Sequence, residues 1–241
     1  MKVDILGVKI DDLNMDKAVK KVIQYTMSDK KYKIYTPNPE FVMTANEDEE
    51  FKSILNKGDL VIPDGIGIVI ASKIMKKSIT ERVAGYDLLQ NVFNEIKGTD
   101  KTVYFFGAAK GVASQAADRM KEVHEGLNII GIHDGYFDEE EEKRIIETIN
   151  SLKPDILLVG LGAPKQEKWI NQNIDNLNIK VAIGVGGSFD GMAGIVKRAP
   201  EIYQKLGLEW FYRLMKQPTR IKRMIKLPMF LLRVIKYRKH P

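Results

Sequence analysis

The residues best suited to chemistry in this 241-residue chain stand directly after short apolar runs. Asp64 follows one such run, and a carboxylate at the end of a strand could act as a general base toward a substrate hydroxyl. The same aspartate could instead cap the helix that follows, which is a common structural role. Asp190 allows a similar pair of interpretations, contact with the base or ribose of a nucleotide or the capping of a turn.

Segment 155–169, DILLVGLGAPKQEKW, is a candidate anion-binding loop. Its unbroken apolar run predicts a strand buried on both faces. The run ends in two glycines, the second of them Gly162, which let a ligand approach the backbone. Pro164 suits the first turn of a helix whose free N–H groups favour an anion, and Lys165 and Gln166 lie beside them. An ordinary strand-to-helix connection that needs glycine for a tight turn explains the same pattern.

Three further loops contain residues that indicate a binding site less specifically. Gly107 begins a Gly-Ala-Ala-Lys-Gly sequence, which is neither the dinucleotide fingerprint G-x-G-x-x-G nor a P-loop. Gly187 lies in the Gly-Gly-Ser-Phe-Asp sequence after another apolar run, and Arg82 lies in a loop where a lone arginine is usually a solvated charge. The three histidines lack metal-site spacing and the chain has no D-x-D triplet, so we expect neither a metal nor a cofactor.

The elements that must position these loops alternate between strands and helices. Apolar runs predict strands at 3–10, 33–35, 59–62, 102–106, 127–132, 156–159 and 181–185. Apolar residues at helical spacing predict helices at 15–27, 40–45, 49–56, 66–75, 86–96, 111–123 and 138–152, with a further helix after residue 163. This order is typical of an α/β fold, a Rossmann-like, mostly parallel sheet flanked by helices. Ligands bind beyond the carboxyl ends of such strands, where the loops described above should converge.

The charge of the chain divides it into a body and a tail. The net charge is +6, yet residues 1–209 carry −4, because ten lysines and arginines follow the last acidic residue, Glu209. We therefore predict a catalytic domain at 1–195 and a basic amphipathic helical appendage at 196–241. Such helices suit an anionic membrane surface. A terminal helix packed on the body with a solvated basic face is the structural alternative.

Bulk composition favours a cytoplasmic protein. The chain has no cysteine, and its first ten residues are too short and polar for a signal peptide. No apolar stretch is long enough for a membrane-spanning helix. We expect a cytoplasmic protein bound peripherally to the inner face of the cell membrane. The sequence leaves the oligomeric state open, a homo-oligomer included.

Eight motifs follow one another along the chain: Thr36-Pro37-Asn38-Pro39-Glu40, Pro63-Asp64-Gly65, Glu81-Arg82-Val83-Ala84-Gly85, Gly160-Leu161-Gly162-Ala163-Pro164-Lys165-Gln166-Glu167, Gly186-Gly187-Ser188-Phe189-Asp190, Lys197-Arg198-Ala199-Pro200, Gly207-Leu208-Glu209-Trp210 and Arg213-Leu214. In this order they resemble the TagA/WecG/CpsF glycosyltransferase family over nearly the whole chain. The resemblance implies a metal-independent, inverting transfer of N-acetylmannosamine from its UDP donor, UDP-ManNAc. The acceptor would be the 4-hydroxyl of N-acetylglucosamine on undecaprenyl diphosphate, at an early step of wall teichoic acid synthesis.

The resemblance also implies roles for individual residues. Asp64 matches the proposed catalytic base, and Thr36 and Arg82 join it as candidate catalytic residues. The implied substrate-binding residues are Asn38, Gly107, Gly162, Lys165, Gln166, Gly187, Asp190, Arg213, Arg220 and Arg223. The last three match tail arginines thought to close over the diphosphate. We therefore expect the tail to act as a lid that docks at the membrane and brings its arginines over the site.

Two functions of other classes remain open at this point. A nucleic-acid-binding protein could contact phosphates through the basic tail and stack bases on Trp210, Phe211 and Tyr212. The confinement of the charge to the tail argues against it, and we expect no nucleic-acid partner. A nucleotide-sugar epimerase with bound NAD would also act on such substrates, but the chain lacks G-x-G-x-x-G.

Overall fold

A computed structural model of the chain describes residues 1–205, 207–216 and 225–239. Eight strands are described: β1 Lys2–Ile5, β2 Val8–Asp11, β3 Tyr32–Tyr35, β4 Leu60–Val61, β5 Thr102–Gly107, β6 Asn128–His133, β7 Ile156–Gly160 and β8 Val181–Gly184. The described α-helices are α1 Met15–Thr26, α2 Pro39–Ala45, α3 Glu49–Asn56, α4 Ile66–Ile74, α5 Gly85–Ile96, α6 Val112–Val123, α7 Glu139–Leu152, α8 Lys165–Asn173, α9 Ser188–Met192, α10 Glu201–Lys205, α11 Glu209–Lys216 and α12 Lys226–Lys239. Within these ranges no helix is long and apolar enough to cross a membrane.

Six strands form one parallel sheet in the order β4-β3-β8-β7-β5-β6. This confirms the predicted α/β class. Side chains alternate across the sheet, as Val103 and Phe105 of β5 pack in one apolar cluster and Tyr104 and Phe106 pack in the other. Since all six strands run the same way, their carboxyl ends lie along one edge of the sheet.

The single strand predicted at 3–10 is wrong. The segment forms a separate antiparallel hairpin of β1 and β2. Leu6 and Gly7 turn the chain with φ angles of 53° and 85°, and the Gly7 N–H donates to Asp4 Oδ1 at 2.8 Å. Two consecutive positive φ angles belong to the tight hairpin turn that matches strand twist.

The C-terminal helix α12 packs against α2 and α4. Its inward side chains Phe230 and Val234 are completely buried and belong to the same apolar cluster as β1, α3 and α8. Its outward face exposes Met229, Leu232 and Ile235. One side of this helix therefore completes the core of the body, and the opposite side presents apolar surface to the surroundings.

Candidate active site

A cavity of about 430 Å³ lies at the carboxyl edge of the sheet. Its wall includes eight of the predicted site residues, namely Thr36, Asn38, Asp64, Arg82, Gly162, Gln166, Gly187 and Asp190. The loops after β3, β4, β7 and β8 thus meet at one place, although they are far apart in the sequence.

Asp64 faces the cavity and does not cap α4. The residue that precedes this helix is Gly65, with φ of +90°, and no side chain caps the helix. The backbone N–H of Asp64 donates to the Pro37 carbonyl at 3.1 Å, which ties the loop after β4 to the loop after β3. Its carboxylate lies 3.8 Å from Arg82, measured from Oδ1 to Nε. The capping interpretation of Asp64 is therefore wrong.

Arg82 lies between two carboxylates and is not a solvated charge. Its Nη2 donates to Glu209 Oε2 at 2.8 Å, while its Nε faces Asp64. The side chain of Arg82 is 20% exposed and that of Glu209 is 8% exposed, so the ion pair is largely shielded from water. Glu209 begins α11 and is missing from the predicted site, although it stands in one of the eight motifs.

Thr36 and Asn38 line the same side of the cavity as Asp64. Thr36 Oγ1 lies 3.4 Å from the Gly184 carbonyl oxygen at the end of β8, which is a long hydrogen bond. Asn38 Oδ1 caps α2 by accepting from the backbone N–H groups of Glu40 and Phe41. These two capping bonds fix the orientation of the Asn38 amide at the cavity wall.

The loops after β8 and α9 supply the cationic part of the wall. Lys197 and Arg198 line the cavity, as do Asp190, Gly187 and Lys226 at the start of α12. The Arg198 guanidinium is held by both carboxylate oxygens of Asp87 and lies 4.6 Å from the centre of the Tyr86 ring. Sequence reasoning missed Lys197 and Arg198 as site residues, although their Lys-Arg-Ala-Pro motif was a signal for them.

Two predicted site residues lie outside the cavity wall. Gly107 has φ of +130°, and a Cβ there would lie 2.4 Å from the Gly160 carbonyl oxygen, so close packing of β5 on β7 requires glycine. The Lys165 ammonium lies 4.7 Å from the centre of the Phe137 ring. Arg213 belongs to α11, and Arg220 and Arg223 lie outside the described residues.

The sequence model of the WecG/TagA/CpsF glycosyl transferase family matches residues 3–241. The chain belongs to this family. Among curated relatives, proteins named N-acetylglucosaminyldiphosphoundecaprenol N-acetyl-beta-D-mannosaminyltransferase are 37% identical in Bacillus spizizenii and 33% identical in Staphylococcus aureus strain MRSA252. The first alignment covers 85% of this chain and 79% of the relative, and the second covers 98% and 92%.

In this WecG/TagA/CpsF glycosyl transferase, Gln166 and Glu167 are completely buried in the first turn of α8. Gln166 Oε1 accepts from the Gly186 N–H at 3.0 Å, and its Nε2 donates to Glu167 Oε1 at 2.6 Å. A Cβ at Gly184 would lie 2.9 Å from both side chains, so β8 needs glycine where the pair packs. Gln166 thus ties the loop after β8 to α8, and both ends of its amide are engaged within the protein.

Burial raises the pKa of Glu167 to about 7, and the hydrogen bond from Gln166 partly opposes this effect. An unfolded glutamate titrates near 4.5. The native state therefore holds the proton more tightly, and its stability falls as the pH rises from about 4.5 to 7, by about 3 kcal/mol.

We expect Glu167→Gln to remove this pH dependence, because glutamine still accepts from Gln166 and does not ionise. Urea unfolding at pH 5 and pH 8 measures the free energy of unfolding of both proteins. Between these pH values the free energy of unfolding of the variant should rise by up to about 3 kcal/mol relative to that of the unsubstituted protein. Glu122→Gln, at an exposed position on α6, is the matched control. A stability difference that stays constant between the two pH values would contradict the prediction.

No group of three or more histidine and acidic side chains is arranged to hold a metal ion in the described part of the chain. The charged side chains on the cavity wall are instead Glu40, Asp64, Arg82, Asp190, Lys197, Arg198, Glu209 and Lys226. The glycosyl transferase site thus combines four carboxylates with Arg82 and three basic residues from the C-terminal part of the chain.

Proposed function

We propose that the protein transfers N-acetylmannosamine from UDP-ManNAc to the 4-hydroxyl of N-acetylglucosamine carried on undecaprenyl diphosphate. The named activity of the curated relatives supports the sugar and the acceptor. The observation that carries the proposal is the position of Asp64, which lies on the wall of the shared cavity beside Arg82 and does not cap α4. We place the reaction at an early step of wall teichoic acid synthesis.

In the proposed mechanism Asp64 acts as the general base. Its carboxylate takes the proton of the acceptor hydroxyl while the hydroxyl oxygen attacks the anomeric carbon of the donor. The bond from that carbon to UDP breaks on the opposite face, so the configuration inverts and UDP leaves with the bonding electrons. Thr36 Oγ1 and Asn38 Nδ2 line the same wall and orient the sugars.

The leaving diphosphate requires positive charge, which we assign to side chains and backbone. Lys197, Arg198 and Lys226 lie on the wall, and the loop at Gly162 leads into the N-terminus of α8. Cationic donors and helix N–H groups stabilise a developing phosphate charge. In this proposal Arg213, Arg220 and Arg223 add to them when the tail closes, and the transfer needs no metal.

We further propose that the segment 196–241 binds the inner face of the cell membrane, while residues 1–195 form the catalytic body. The exposed apolar side chains Met229, Leu232 and Ile235 on α12 support this assignment, as do Phe211 and Met215 on α11. The basic residues between them suit anionic lipid headgroups. The carrier lipid of the acceptor would then reach the cavity from the membrane side.

UDP release tests the proposed function. The purified protein should release UDP from UDP-ManNAc when a short-prenyl diphosphate carrying N-acetylglucosamine is present, and the product should be a β-linked disaccharide. UDP-GlcNAc is the matched donor control and should give far less product. Release that does not depend on the acceptor, or salt-sensitive RNA binding without any transfer, would overturn the proposal.

A further inference from the structure

The turn that follows β8, residues 185–188, is held in place by hydrogen bonds from its backbone N–H groups. Val185 donates to the Val159 carbonyl at 2.9 Å, and Ser188 donates to the Val185 carbonyl at 3.1 Å. The Gly186 N–H donates to Gln166 Oε1 at 3.0 Å, and this acceptor belongs to a side chain of α8. Gln166 therefore sets where the turn lies relative to α8.

This Gly186 turn leads into a part of the cavity wall that carries Gly187, Asp190 and Lys197. Helix α9 begins at Ser188, and the Asp190 carbonyl accepts from the Val196 N–H at 3.1 Å. Because that bond ties the segment before Lys197 to α9, a displacement of the turn would move the acidic and the cationic side chains of this wall together.

The Gln166 amide pairs at both ends in one orientation. Its Oε1 accepts from Gly186, and its Nε2 donates to Glu167 Oε1 at 2.6 Å. A rotated amide would place its NH2 group against the Gly186 N–H, and two donors cannot pair. Both side chains are completely buried, so water does not readily replace a lost partner. The acceptor on Glu167 thus favours the orientation that holds the turn.

Glu167 can fill this role near neutral pH without touching the cavity. It does not line the wall, whereas Gln166 does. Its Oε2 is buried and makes no hydrogen bond within the described part of the chain. Because burial raises the pKa of this carboxyl to about 7, its neutral and ionised forms both occur near that pH. A proton on Oε2 leaves Oε1 as the acceptor for Gln166 in either form.

We propose that Glu167 is a positioning residue for the donor: it orients the Gln166 amide, and that amide holds the Gly186 turn in the shape that binds the nucleoside diphosphate sugar. The proposal rests on the proposed function and places the donor against the wall at Gly187 and Asp190. It assigns a role in donor affinity to a side chain that does not touch the substrate.

The test compares Glu167→Met with Glu167→Gln. Methionine has a similar length but offers Gln166 only a weak sulfur acceptor, whereas glutamine offers its own Oε1. We expect the KM for UDP-ManNAc to rise on the order of 10-fold in Glu167→Met, because a hydrogen bond of ordinary strength is lost. The KM for the acceptor and kcat should change less. Glu167→Gln should recover most of the donor affinity.

Two controls separate positioning from a general loss of stability. Tyr35→Phe removes a buried hydroxyl that makes no hydrogen bond within the described residues. Ile149→Ala opens a cavity in the same apolar cluster, on a different helix from Gln166. Neither should change the KM for UDP-ManNAc. A similar rise of this KM in Ile149→Ala, or none in Glu167→Met, would overturn the proposal.

Substitution of Gln166 tests whether Glu167 acts through it. In a Gln166→Met background, Glu167→Met should raise the donor KM little further, because the amide that it orients is absent. An equal rise in both backgrounds rejects the proposal. Gln166→Asn serves as well where Glu167→Met does not fold, since its amide is one methylene too short to bridge both partners. An unchanged donor KM in Gln166→Asn would also reject it.

A measurement without substrate distinguishes this inference from the proposed function. Carbon-13 labelling of valine carbonyls with nitrogen-15 labelling of glycine selects the amides of Gly160 and Gly186, the glycines that follow valine. Hydrogen exchange at Gly186 should be faster in Glu167→Met than in the unsubstituted protein, with Gly160 of β7 unchanged as the internal reference. Unchanged exchange at Gly186 rejects the role of Glu167. Faster exchange, with no UDP release by the unsubstituted protein, rejects only the proposed reaction.

Discussion

Asp64→Asn should reduce kcat by about 10²–10⁴-fold while UDP-ManNAc binding stays largely intact. Asparagine has nearly the same shape but cannot accept the proton of the acceptor hydroxyl at neutral pH. Arg82 would keep its hydrogen bond to Glu209, and α4 loses no cap because Gly65 precedes it. The substitution should therefore remove proton transfer with little damage to the fold.

Steady-state UDP release and calorimetric titration of UDP-ManNAc provide the two measurements for Asp64→Asn. The matched control is Asp118→Asn, an exposed aspartate on α6, which should behave as the unsubstituted protein does. Turnover that survives in Asp64→Asn would assign proton removal to another group. A large loss of donor affinity would instead make Asp64 a binding residue.

Replacement of Met229, Leu232 and Ile235 by serine should weaken binding to anionic vesicles by about 100-fold. These side chains are 50%, 67% and 40% exposed, so lipid could cover roughly half of each. Full burial of such a side chain contributes about 1.5–3 kcal/mol, which gives about 1 kcal/mol for each half-covered residue. Three residues together then supply about 3 kcal/mol, or about two powers of ten.

Vesicle co-sedimentation measures this binding directly. Met27, Val123 and Leu152 are also exposed, and their replacement by serine is a control of similar apolar loss on other helices or their ends. Transfer to an acceptor embedded in vesicles should fall with vesicle binding, and transfer to a water-soluble acceptor should fall far less. Equal vesicle binding by the α12 variant and the control would show that the membrane contacts a different surface.

The convergence of loops could be predicted from the sequence because it depends on local patterns. Short apolar runs predicted the parallel strands. The polar residues and glycines that follow these runs predicted that Thr36, Asp64 and Gly187 lie at the carboxyl edge of the sheet, where they line the cavity. The pairing of Arg82 with Glu209 spans 127 residues and depends on where α11 packs, which no local pattern encodes.

Burial is the second feature that the sequence concealed. Gln166 was expected beside the free N–H groups at the start of a helix, but it and Glu167 are completely buried, and Gly184 in β8 leaves room for both side chains. The hairpin of β1 and β2 was missed for a related reason. Its turn has a positive φ at Leu6, and leucine rarely adopts that conformation, so the residue type did not predict the turn.

The burial of Phe230 and Val234 decides how the C-terminal segment can be studied. A chain shortened after residue 195 would lose these two core side chains together with the outward apolar face of α12. Inactivity of such a fragment would then report misfolding as readily as lost membrane attachment. Substitution of the exposed residues Met229, Leu232 and Ile235 avoids this ambiguity, because the buried side chains of α12 then stay in the core. The same helix thus supports the interior of the protein and offers a contact surface to its surroundings.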